Sequence, residues 1–288
     1  MNKKNDNAIF DVTQRMNWAG ETHTRRRKYR RMISLAHHVT FFLGKRFPKS
    51  VPLIFVLGYP KSGTSWVCQI TSDYLRLPFP QHAILPVGFP AVVHGHDMPT
   101  ASYPLGVYVV RDGRDVMVSA FNHLRNQYAS GGGKRYQRKY FSKLDVDAPT
   151  SENMVSFIEH SAKHPFAAKH NWGDHVGGFF DNRSNFVLLR YEDLLADSEA
   201  ALTNVMNSLS SEEVDPRRIS ESVDRYSFAR QTGRDTGKEN KGSYLRKGQS
   251  GDWKNHFSRE AAECFEKHFG QALVQAGYET DSSWVNEV

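Results

Sequence analysis

The chain has 288 residues, and 38 Lys and Arg against 31 Asp and Glu give it a formal charge of +7 and a pI of about 9.3. That balance favours acidic ligands such as nucleic acid, anionic lipid or a phosphate-bearing cofactor. Two distant cysteines, Cys68 and Cys264, argue against a disulfide scaffold and for a reducing cytoplasm, and neither has metal-ligand company.

The polar start, Met1 to Asn7, predicts no secretory signal, and no run approaches the ~20 apolar residues of a membrane span. Residues 1–50 read as a basic extension. Within it, the cluster Arg25-Arg26-Arg27-Lys28-Tyr29-Arg30-Arg31 precedes the more apolar Met32 to Leu43. Two readings stand: a basic amphipathic helix in peripheral contact with a membrane, or a charged helix packed on the domain by its apolar side.

The α/β domain is expected over residues 51–288. Leu53 to Gly58 is an apolar run of the kind found in buried parallel strands. Val67 to Leu75 reads as a helix. A second strand, Gly106 to Val110, precedes Arg111-Asp112-Gly113-Arg114-Asp115 and a helix over Val116 to Arg125. The Gly-rich, basic stretch Ala129 to Tyr140 is an insertion, either a mobile lid or a surface loop. Residues 151–180 read as helices, and Asn185 to Arg190 as a third strand ahead of Tyr191-Glu192-Asp193-Leu194. Helices follow over 198–209 and 216–224, then a loop over 231–251, then a closing helix from Arg259 to Ala276. Apolar strands alternating with helices predict a single α/β domain, a P-loop-type parallel β-sheet flanked by helices on both faces.

Between the first strand and its helix lies Pro60-Lys61-Ser62-Gly63-Thr64-Ser65-Trp66. A strand, a Gly-containing loop and a helix form a phosphate cradle, because loop amides and the positive helix terminus point at one anion. Gly58 and Gly63 have the spacing of a triphosphate loop, but that loop needs Lys directly after its second Gly. Here Thr64 and Ser65 follow Gly63, and the Lys stands inside the loop at position 61. This disfavours a nucleoside triphosphate and favours an adenosine phosphate with different chemistry at its far end. Downstream, Arg111 ends a strand and Ser119 lies on the next helix, where a guanidinium fork and a hydroxyl can hold a second phosphate. Leu245 to Asn255, with Arg246-Lys247-Gly248, suits an anion lid.

These segments together resemble the sulfotransferase family that uses 3′-phosphoadenosine-5′-phosphosulfate (PAPS). The family's 5′-phosphosulfate loop resembles Pro60 to Trp66, and its 3′-phosphate segment resembles Arg111 to Ser119. Its R-K-G-x-x-G-D-W-K-x-x-F signature resembles Arg246 to Phe257, and its Y-E-D turn Tyr191 to Asp193. The resemblance spans residues 51 to about 270 in order. It implies that Lys61, Ser62, Gly63, Thr64, Ser65 and Trp66 hold the 5′-phosphosulfate and adenine side. Arg111, Ser119, Arg246, Lys247 and Gly248 would bind the 3′-phosphate, and Tyr191 would meet the adenine; Ser227-Phe228 resembles the adenine-flanking pair more loosely. The family's general base is a His in a K-T-H-x-P-like segment. Val92 to Pro99 occupies that place, with His96 as base, His94 where a Lys usually stands and as the alternative base, and the Pro one residue late. Ser258-Arg259 replaces the Thr-Val of the family's dimerisation segment, which leaves the oligomeric state open.

The resemblance implies in-line transfer of a sulfuryl group to a hydroxyl or amine of a small-molecule, lipid or carbohydrate acceptor. His96 would take the acceptor's proton and Lys61 would stabilise the departing adenosine 3′,5′-bisphosphate (PAP), with no metal and no nucleic acid required. The competing readings are a P-loop kinase or nucleotide phosphotransferase, which lacks its Lys after Gly63, and a non-catalytic basic protein binding nucleic acid or membrane.

Overall fold

The computed structural model describes residues 23–80, 86–129, 144, 145, 147–182, 185–240, 242, 243 and 245–288, with side chains from residue 31 onward. Residues 130–140 of the Gly-rich insertion and residues 1–22 of the extension lie outside the described residues.

Four parallel strands form the sheet: β1 (Leu53–Gly58), β2 (Ala91–Gly95), β3 (Gly106–Val110) and β4 (Phe186–Arg190), in the order β2-β1-β3-β4. The register sets Val56 beside His94, Gly58 beside Val109 and Val110 beside Arg190. All strands run the same way, so their C-terminal ends share one edge, where ligands of open parallel sheets bind. The central strands β1 and β3 are apolar along their whole length because helices cover both faces.

Strand β2 was not among the strands read from sequence. It has only three apolar residues, Ala91-Val92-Val93, before His94 and Gly95. Its pairing with β1, rather than its own pattern, makes it a strand. Its last residues place His94 at the shared edge and His96 just beyond it.

The helices are α1 (His23–Arg46), α2 (Thr64–Leu75), α3 (Gly113–Gln127), α4 (Thr150–Lys163), α5 (Trp172–Asp181), α6 (Tyr191–Ala196), α7 (Ser198–Leu209), α8 (Pro216–Arg225), α9 (Phe228–Thr232) and α10 (Arg259–Gln275). Several begin at a side-chain cap that sequence shows directly: the carboxylates of Asp112, Asp197 and Asp215 accept from Arg114 N–H, Ala200 N–H and Arg217 N–H. Pro216 at the start of α8 reinforces the last of these. Residues 164–171 separate α4 from α5, and Ala167 there has a φ of 50°. One sheet face packs Phe55, Leu57 and Tyr108 against Phe121, Phe157, Trp172 and Phe265 of α3, α4, α5 and α10. The other packs Val56, Val107 and Val109 against Val67, Ile70, Leu202 and Val205 of α2 and α7. Helix α1 adds Phe41 to the first core, edge-on to Phe55 at 5.1 Å.

Candidate active site

The phosphate loop closes over a tight turn in which Ser62 N–H donates to the Tyr59 carbonyl at 3.2 Å. Lys61 sits at φ 74° and Gly63 at φ 90°. A left-handed conformation at a non-glycine residue costs about 1–2 kcal/mol, so Lys61 is held there by the surrounding fold. Gly63 is obligatory for a second reason: a Cβ there would lie 2.6 Å from Tyr191 Cδ2. Gly63 is also the N-cap of α2 and offers no side-chain cap, so the first N–H groups of that helix are left for an anion.

Arg111, at the end of β3, ties the site together. Its Nη1 donates to the Lys61 carbonyl at 3.4 Å and its Nη2 to the Gln249 carbonyl at 3.1 Å. The guanidinium lies 4.4 Å over the Tyr191 ring and 3.7 Å from Asp115. Loop, lid and Y-E-D turn therefore meet on one side chain. Arg111 Nε and Ser62 Oγ are buried polar atoms with no protein partner. Two such atoms flanking the cradle fit a phosphorylated cofactor. Burial first, and the Arg111 charge second, push the Lys61 ammonium down to about 7, a value an anion beside it would raise again.

Ser119 on α3 lines a cavity of about 240 Å³ with Lys61, His123 and Arg246. Of the lid residues, Arg246 reaches this cavity while also pairing with Glu239 and Asp252 at 2.5 Å each. Lys247 donates to Asp252 at 2.5 Å. Burial opposes the Asp252 charge, but hydrogen bonds from His256, Lys247, Arg246 and Asn255 hold its carboxyl well below the usual range. Asp115 accepts from Gly251 N–H at 2.7 Å and Trp253 N–H at 2.9 Å, fastening the lid to the first turn of α3. Gly248 has φ 64°, and a Cβ there would meet Phe228 at 2.6 Å. Arg114 is structural: it pairs with Asp112 at 2.7 Å and Glu279 at 2.6 Å, and lies 4.0 Å over Trp253 and 4.6 Å over Trp284. The Arg111 to Asp115 segment is thus largely buried, with its charges paired internally as well as to Glu279.

Trp66 Nε1 donates to the Tyr226 carbonyl at 2.8 Å and its ring stands edge-on to Tyr191 at 6.0 Å. Tyr191 itself covers the phosphate loop between Gly63 and Arg111. Thr64 Oγ1 shares a hydrogen bond of 3.0 Å with His94 Nε2. Ser65, on the first turn of α2, is half-buried.

His96 lies beside this cradle. Its Nδ1 is 2.8 Å from the Gly58 carbonyl, so in the neutral ring Nδ1 carries the proton and Nε2 keeps its lone pair. Burial, the largest influence, lowers its pKa below the ordinary 6.5, against the Gly58 bond that raises it. The ring stays neutral at physiological pH. Residues unmarked by sequence reasoning hold it there. His175 Nε2 lies 3.2 Å from the His96 carbonyl, and Tyr108 Oη lies 2.8 Å from His175 Nδ1. A tyrosine in the middle of an otherwise aliphatic strand was the one signal available, and its partner is 67 residues away.

A family model described as "Sulfotransferase domain" matches residues 106–277, more than half of the chain. The chain belongs to the sulfotransferase family. It is 26% identical over 261 residues to a rabbit (Oryctolagus cuniculus) amine sulfotransferase, covering 76% of this chain and 80% of that one. It is 25% identical over 266 residues to human sulfotransferase 2A1, covering 77% and 84%. Its fold matches mouse sulfotransferase SULT7A1 complexed with PAP at a TM-score of 0.60 and 18% identity, covering 88% and 95% of the two chains. It also matches retinol dehydratase in complex with androsterone and PAP at 0.53 and 17%, covering 81% and 85%. No helix among the described residues is long and apolar enough to cross a membrane.

Proposed function

We propose that this enzyme transfers the sulfuryl group of PAPS to a hydroxyl or amine of a small molecule, with His96 as general base. The observation that carries the reading is the neutral His96, its Nδ1 proton fixed on Gly58, next to a phosphate loop stitched to the lid by Arg111. PAPS supplies an activated sulfuryl group and leaves as PAP. The loop amides, Lys61 and Ser62 would hold its 5′ end; Arg111, Ser119, Arg246 and the Lys247-Gly248 backbone would hold the 3′-phosphate, and Thr64, Ser65, Trp66 and Tyr191 would frame the nucleoside. The lone pair of His96 Nε2 accepts the acceptor's proton, and Lys61 stabilises charge growing on the leaving phosphate. His94, tied to Thr64, braces the first turn of α2 in this scheme.

The rabbit amine sulfotransferase and the androsterone-bound neighbour support an amine or hydroxyl acceptor of modest size. We place the catalytic domain at residues 51–288 with α1 appended to it. Free thiols at Cys68 and Cys264 fit a cytoplasmic enzyme.

Calorimetry with PAP and 5′-AMP tests the cofactor assignment. PAP is expected to bind at least ~10-fold more tightly, because only it offers the 3′-phosphate to Arg111. Equal affinities would overturn the assignment. Transfer from radiolabelled PAPS to a panel of phenols, sterols and amines then identifies the acceptor class.

A further inference from the structure

Helix α1 presents two apolar sides. Ala36, Thr40 and Phe41 are buried; Thr40 Oγ1 accepts from Val87 N–H at 2.8 Å, and a Cβ on Gly95 would meet the Phe41 ring at 2.7 Å. This inner side forms part of the wall behind β2 and His96. The outer side carries Met32, Leu35 and Phe42, which are 45%, 66% and 59% exposed. Their spacing, with half-buried Val39 between, is that of one helical stripe. Just past the helix, Phe47 is also exposed, and so is Phe89 on the segment that Val87 ties to α1.

The charged residues of the helix itself are of one sign. The helix carries Arg25, Arg26, Arg27, Lys28, Arg30, Arg31, Lys45 and Arg46, and no Asp or Glu. In the sequence, no acidic residue occurs between Glu21 and Asp73. An exposed apolar stripe with cations at both helix ends matches a helix lying in the interface of an anionic bilayer, apolar side down.

We infer that the outer side of α1 docks this enzyme on anionic membranes. The docked helix is the same one that backs the catalytic edge, which suits an acceptor that partitions into lipid. The inference goes beyond the sulfuryl-transfer reading and does not depend on it.

Co-sedimentation of the full chain with phosphatidylglycerol–phosphatidylcholine vesicles and with pure phosphatidylcholine vesicles tests it, alongside a Leu35→Glu/Phe42→Glu double variant. Both substituted residues are exposed, so the fold should tolerate them. PAP-induced thermal stabilisation, measured on the same samples, reports the nucleotide site separately. The expected result is binding to the anionic vesicles at low salt, release at about 1 M salt, and at least ~10-fold weaker partitioning of the double variant. Failure to sediment with anionic vesicles, equal binding to neutral vesicles, or unchanged binding of the variant would each overturn the proposal. A concentration-dependent dimer that the double variant dissociates would assign the stripe to a second copy instead. A gain in vesicle binding on deletion of residues 1–22 would assign it to that segment. Loss of the PAP response with vesicle binding intact would count against the sulfotransferase reading alone.

Discussion

Replacing Tyr108 with Phe tests how the fold holds His96, the proposed base. The Tyr108 ring is fully buried and stacks on Phe179 with centroids 4.0 Å apart, so Phe keeps the packing. What is lost is one hydroxyl, 2.8 Å from His175 Nδ1 and 3.2 Å from the His175 carbonyl. With every group satisfied, the hydroxyl donates to Nδ1 and His175 Nε2–H donates to the His96 carbonyl. Burial keeps His175 neutral, with its pKa lowered to about 4. An imidazole nitrogen left unpartnered in the core costs about 1–3 kcal/mol, a fall of roughly 3–10 °C in thermal midpoint for a domain of this size. The His96 carbonyl still holds the proton on His175 Nε2, because in the other tautomer the two would be acceptors facing each other at 3.2 Å. The ring is no longer held from its Nδ1 side, however, so the turn that carries His96 is less firmly placed. A misplacement of about 1 Å costs up to ~10²-fold in rate, so turnover should fall at least ~10-fold while PAP affinity, set by other residues, stays within about twofold. Scanning fluorimetry, PAP calorimetry and radiolabelled transfer measure the three quantities. A stable variant with undiminished turnover would refute the positioning role; parallel loss of PAP affinity would show general damage to the site.

His96→Ala should lower turnover by ~10²–10⁴-fold with PAP affinity retained, and His94→Ala should spare most of it; the reverse pattern would move the base to His94. Because the folded pKa of His96 is lowered, the acid limb of kcat/KM should lie below pH 6.5, and a limb above that value would contradict a buried, neutral base. Lys61, held near 7 in the free protein, is largely deprotonated at about pH 8.5 and regains its proton beside a phosphate; calorimetry in buffers of different ionisation heat should therefore show proton uptake on PAP binding there, and none in Lys61→Met. Gly63→Ala should cost at least about 1–2 kcal/mol from its left-handed backbone alone and displace Tyr191, seen as a lower midpoint with impaired PAP binding; a variant that binds PAP normally would mean the loop tolerates a side chain there.

Much of this molecule is written in local patterns. Leu53–Gly58 and Gly106–Val110 are legible as strands because a strand covered on both faces must be apolar throughout. The phosphate loop is legible because its chemistry needs Gly63, Lys61 and a helix start within a few residues. The caps at Asp112, Asp197 and Asp215 are equally local. Strand β2 is different: its three apolar residues are too few for a period, and pairing with β1 decides its conformation. Likewise, sequence shows Arg111 but not that it spans Lys61, Gln249 and Tyr191, residues 50, 138 and 80 positions away. Sequence leaves His94 and His96 as alternatives, because both imidazoles stand in the same segment. Only the folded chain separates their surroundings: the Gly58 carbonyl orients one ring, Thr64 engages the other, and a Tyr108–His175 pair brought from another strand and helix holds the backbone carbonyl of His96. Hydrogen bonds of that kind depend on distances the chain acquires when the sheet and its helices close around them.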